Sequence, residues 1–223
     1  MEAPQAEISV VGRMVRVFYA PSQTFKAVAD QRTAADWLVP TIIAAVVSSI
    51  TAYLTVPIEL GTIQSTPSGA LEKEGATLIA QTSGAMAASA MTFAALFIFA
   101  ALYLLVGKGL GGVLDYGQAL AIAAYASLTF ALKDLVTTPL ALANETMTVQ
   151  TGLGLFLSEQ AQASFSGALL SSIDPFVVWR VLVGGVGLSI LGQTERWRAV
   201  AGVAAIALTF IVLDAFVAHI VLK

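Results

Sequence analysis

The chain has 223 residues, 57% hydrophobic and 11% charged, with a formal net charge of −3. A soluble domain carries about 25% charged residues, so a water-facing surface here would expose large apolar patches that only lipid tolerates. The negative balance removes the electrostatic basis for nucleic-acid binding, and the absence of cysteine removes disulfides and thiolate metal sites.

Residues 1–36 hold four Lys/Arg and four Asp/Glu without an apolar stretch ahead of a small-residue cleavage site, so no signal peptide is expected. Over residues 7–20, Ser9, Arg13 and Arg16 share one helical face, and Ile8, Val11, Met14, Val15, Val17 and Phe18 fill most of the rest. This pattern predicts an amphipathic interfacial helix, either packed on the cytoplasmic lipid surface or docking a partner. Pro21 breaks it, and a short helix from Ser22 would bury Phe25 and Val28. Residues 1–36 are thus read as cytoplasmic interfacial helices and 37–223 as a membrane domain.

A spanning helix needs about 20 predominantly apolar residues, and five stretches qualify: 37–57, 85–107, 116–140, 174–192 and 197–222. Thr33 and Asp36 resemble a capping box ahead of the first. Glu72, Lys73 and Glu74 lie on a possible helical extension of the second, with Pro67 near its start. The third is apolar as far as Lys133 and Asp134, and the fourth opens with Asp174 as N-cap and Pro175 as first helical residue. Residues 155–172 are too polar to span and predict a surface helix or a re-entrant one. The fold class is therefore all-α, a five-span integral membrane bundle with an N-terminal amphipathic helix.

Alternate loops carry unequal positive charge. Arg13, Arg16, Lys26, Arg32, Lys108, Arg196 and Arg198 fall on one side; Lys73 and Lys223 fall on the other. The richer side is cytoplasmic, which puts the N-terminus inside and the C-terminus outside. The Ala-rich spans and short N-terminal region favour a bacterial plasma membrane, with an endomembrane as the alternative in a eukaryotic host.

Five local stretches resemble the bacterial branch of the Ypt/Rab-GTPase-interacting protein (YIP) family. These are Pro21-Ser-Gln-Thr-Phe25; Asp36-Trp-Leu-Val-Pro40, with Val39 where the family has glycine; Gly107-Lys-Gly109 followed by Gly111-Gly112; Tyr116-Gly117 with Tyr125-Ala126; and Asp174-Pro-Phe-Val-Val-Trp179. The resemblance implies five spans, a cytoplasmic N-terminus and functional weight on Asp36, Pro40, Tyr116, Gly117 and Tyr125. Eukaryotic members bind Rab GTPases and act in vesicle traffic; the long cytoplasmic N-terminal region typical of them is not expected here, so that role is not carried over. For the bacterial branch the implied role is that of a membrane protein without an assigned biochemistry.

Ionisable residues inside spans are costly and mark function or pairing. Here they are Lys133, Asp134, Arg180, Asp214 and His219. At 1.5 Å per residue, Arg180 lies roughly 9 Å and Asp214 roughly 13 Å below the outer ends of their helices. All five are therefore expected in the outer half of the membrane. One reading pairs Arg180 with Asp214 or Asp134 and lets Lys133 and His219 snorkel outward. The other is an outward-facing polar cavity for an ion or small solute. Gly184, Gly185, Gly187 and Ser189 put small residues on the fourth span, for close packing within the monomer or at a homodimer seam.

Catalysis lacks a constellation. One histidine without cysteine offers no zinc-ligand spacing, and no Gly-x-Ser-x-Gly elbow occurs. The run Gly107–Gly112 lacks the Gly-Lys-Ser/Thr ending of a phosphate loop. Asn144-Glu-Thr146 fits a glycosylation acceptor only if the host glycosylates. No cofactor and no metal are expected. The expected role is non-catalytic: membrane-organising, trafficking-type or partner-binding, with the bilayer, other membrane proteins or a second copy as partners. A small-solute or ion transporter is the alternative.

Overall fold

The structure, a computed structural model, describes residues 9–63, 70–146, 149–162 and 164–221. Two short helices lead, α1 (Val10–Arg16) and α2 (Pro21–Asp30). Three long ones follow: α3 (Ala35–Ile63), α4 (Ala70–Gly109) and α5 (Tyr116–Asn144). A 3₁₀ turn (Leu153–Phe156) and the short helices α6 (Glu159–Gln162) and α7 (Phe165–Ser171) precede α8 (Pro175–Leu191) and α9 (Arg196–Val221). No strand occurs among the described residues. Helices α3, α4, α5 and α9 are each long and apolar enough to cross a membrane, and α7 with α8, bent by 62° at their break, make a fifth span if taken together. The molecule is an all-α membrane bundle.

Local chemistry sets the boundaries. Asp115 caps α5 in a reciprocal box with Gln118. Asp174 caps α8, its carboxylate accepting from the Val177 backbone N–H at 2.8 Å, with Pro175 first in the helix as expected. Only half of the expected Thr33 box forms: the Asp36 carboxylate reaches back to the Thr33 backbone N–H at 2.9 Å. The single helix expected over 155–172 is instead three short pieces. Ser164 caps a new helix by accepting from the Gly167 N–H, which competes with continuation of α6. The expected second span is longer than 85–107, because α4 takes in residues 72–74; Pro67 and the side chain of Lys73 lie outside the described residues, as do Ile8 and Lys223.

Helix α5 is the central post. Its apolar window is 61% buried, against 22%, 22% and 17% for those of α3, α4 and α9. Ala119, Ala121, Ala123, Ala124 and Ala126 are buried along it, and side chains this small let neighbouring backbones close in. At the end where α3 begins, α1 and α2 fold onto the bundle and add Met14, Val17, Phe25 and Val28 to one continuous core with Tyr103, Tyr125, Val183 and Leu188. The small face of α8 is used inside the monomer. A Cβ on Gly187 would lie 2.7 Å from the Phe25 ring, and one on Gly185 would lie 2.7 Å from Val200 Cα.

Candidate functional site

Three polar sites punctuate this apolar frame, at three depths. The first joins the N-terminal helices to the spans. Arg13 on α1, expected on a solvated face, turns inward and meets Asp36 at 2.8 Å; both side chains are almost fully buried. The Tyr125 hydroxyl on α5 donates to the same carboxylate oxygen at 2.9 Å. The other oxygen accepts from Thr33. Arg13 also donates to the Gln31 carbonyl at 3.2 Å. Phe25 stands edge-on to the Tyr125 ring at 5.9 Å. The amphipathic pattern misplaced Arg13 because a buried carboxylate outbids water for a guanidinium. What α1 and the turn after it leave exposed is largely apolar: Val11, Val15 and Tyr19.

Of the other motif positions, Pro40 is buried one turn beyond Asp36. Gly117 lies against the Arg32 guanidinium, which binds Asp115 at 2.6 Å and ties the end of α2 to the start of α5. Partial burial pushes the Asp115 carboxyl up, but hydrogen bonds from Arg32 and the backbone N–H groups outweigh it and hold the carboxyl below its usual range. Tyr116 is exposed, its hydroxyl 3.4 Å from the Phe97 carbonyl.

The second site lies near the opposite end. Lys133 does not snorkel outward; it binds the buried Asp174 at 2.5 Å. That carboxylate also accepts from Thr151 at 3.2 Å while capping α8. Asp134, next along α5, accepts from Ser48 on α3 at 3.2 Å. Sequence flagged Asp174 as a cap only; its second role needs Lys133 from a helix 41 residues away.

The third site is Arg180. Among the described residues no ion pair joins it to Asp134 or Asp214. Its guanidinium sits over the Phe99 ring at 3.9 Å and the Phe130 ring at 4.5 Å, and Tyr103 lines the same cavity. Arg180 lies eleven residues before Leu191, Phe99 ten before Gly109 and Phe130 fourteen after Tyr116. At 1.5 Å per residue these place all three about 15–21 Å from the N-terminal face, at or just beyond the midplane of a hydrocarbon core about 30 Å thick. Asp174 starts α8 level with Lys133, eleven residues before α5 ends. Two cavities, of about 100 and 180 Å³, meet at Arg180, Phe99 and Phe130. Asp214 is exposed on α9, and the side chain of His219 lies outside the described residues. Among the described residues, Lys133, Asp134, Arg180 and Asp214 therefore do not gather. Among the described residues no group of three metal-ligating side chains comes together.

The Yip1 domain family model matches residues 15–217, nearly the whole chain, and the protein belongs to that family. None of the curated proteins matches it. No solved structure matches it either.

Proposed function

We propose that this Yip1-domain protein works without catalysis, organising the membrane or binding partner proteins within it, through its N-terminal face. One observation carries the reading. The Arg13–Asp36–Tyr125 network fixes α1 to the spans, so Val11, Val15 and Tyr19 are presented as a fixed apolar patch and not as a loose tail. Buried charge placed there holds an orientation, which a recognition surface needs. The cations of this end, Arg16, Lys26, Arg32, Lys108, Arg196 and Arg198 among them, support a cytoplasmic N-terminus and an outside C-terminus. We assign the chain to a bacterial plasma membrane, with an endomembrane as the alternative. The natural absence of cysteine makes orientation simple to test: a cysteine at Ser22 should resist impermeant maleimide on intact cells, and one at Ser158 should react.

The partner reading is tested with a photo-crosslinking residue at Val11 or Val15 in native membranes. A discrete protein adduct, or a dimer of this chain, is expected; adducts to lipid alone would count against it. A second reading, a small-solute or ion carrier, draws on the cavities at Arg180. It requires that Arg180→Gln or Asp214→Asn abolish a flux while leaving expression intact.

A further inference from the structure

The membrane-embedded guanidinium of Arg180 is left electrically uncompensated among the described residues. A cation at mid-depth is costly in lipid. The guanidinium lies over the Phe99 and Phe130 rings, which offset part of that cost. Ring contacts do not satisfy the five N–H donors of the fork, which still need oxygen acceptors. Tyr103 lines the smaller cavity beside it, and no hydrogen bond to Arg180 is made among the described residues. The Thr92, Ser127 and Ser48 hydroxyls donate to Ala88, Ala124 and Asp134; their oxygens can still accept, so a ligand head here meets polar groups besides the guanidinium. Asp134 itself lines neither cavity.

The two cavities differ in character. The larger, about 180 Å³, places Ser48, Thr92 and Ser127 around the guanidinium. The smaller, about 100 Å³, is walled by Val181, Val203 and Ile206. A bidentate acceptor on a short apolar stem satisfies both, because a carboxylate matches the guanidinium fork with two parallel hydrogen bonds. We propose that Arg180 and its paired cavities form an intramembrane binding site for a medium-chain carboxylate. The head would lie on the guanidinium edge and the stem between α8 and α9. This site is independent of the N-terminal face and of any flux.

The test uses the full chain, delipidated in non-ionic detergent, with octanoate as probe and 1-octanol as its neutral isostere. Radiolabelled octanoate should bind saturably at about one per chain, and octanol should bind about tenfold or more weakly, as loss of a charge-assisted bidentate contact requires. Arg180→Gln should abolish the difference between the two. Equal binding of octanol and octanoate, non-saturable uptake, or unchanged octanoate affinity in Arg180→Gln would each overturn the proposal. Should that variant not fold, the octanoate-to-octanol ratio on the unmodified chain decides alone.

Discussion

Removing the Asp36 carboxylate isolates the network that binds the N-terminal helices. In Asp36→Ala, Arg13 keeps its charge and its burial but loses the carboxylate at 2.8 Å, and the Tyr125 hydroxyl loses its acceptor at 2.9 Å. Leaving one partner of a buried pair behind costs about 3–5 kcal/mol. Tyr125→Phe removes a single hydrogen bond to a charged group and should cost less, about 1.5–3 kcal/mol. Replacing both charges with apolar groups, as Arg13→Met with Asp36→Leu, leaves neither charge stranded. The double variant should therefore recover most of the loss seen in either single one. Unfolding in mixed micelles, followed by tryptophan fluorescence with Trp37 beside the site, measures all four. If Asp36→Ala lies within about 1 kcal/mol of the parent, or if the double variant loses the sum of the singles, the network is not a closed, dry pair and the reasoning fails.

Gly187→Ala should destabilise by about 1–3 kcal/mol, because its methyl enters the buried Phe25 ring; faster proteolysis within α2 would locate the damage. Lys133→Met should cost about 1–3 kcal/mol by stripping the cation from buried Asp174, and Asp174→Ala should cost more in a thermal melt, since the α8 cap goes with it. The Asp115 carboxyl titrates below its unfolded value, so its contribution is complete above about pH 3.9 and is lost as pH falls through the lower folded value. Arg32→Gln should raise that folded value, seen by carboxyl-selective NMR, with only a small stability change because the pair is largely exposed.

Hydropathy and capping chemistry made the bundle legible, since both are local. A continuous apolar run predicts α3, α4, α5 and α9, and Asp174-Pro175 predicts the start of α8 to the residue. The motif positions Asp36 and Tyr125 meet, although 89 residues separate them. What could not be read was partnership. Arg13 belonged by periodicity to a solvated face, and only the fold reveals the carboxylate opposite it. One reading paired Arg180 with an acidic residue because Coulomb attraction is the usual solution; two phenylalanines from different helices leave no spacing in the sequence that would announce ring contacts.

The brevity of α8 has a mechanical consequence for the surrounding bilayer. Its 17 residues make about 25 Å of helix, while the apolar stretch Gly75–Gly109 of α4 makes about 52 Å, at 1.5 Å per residue. A hydrocarbon core about 30 Å thick meets both on one molecule. Val178 and Leu182 leave α8 open to acyl chains. Lipids beside it must shorten, and those beside α4 need not, so hydrophobic mismatch is concentrated on one flank. At fractions of a kcal/mol per Å, that asymmetry biases the protein toward thin membrane and gives it leverage over local bilayer thickness.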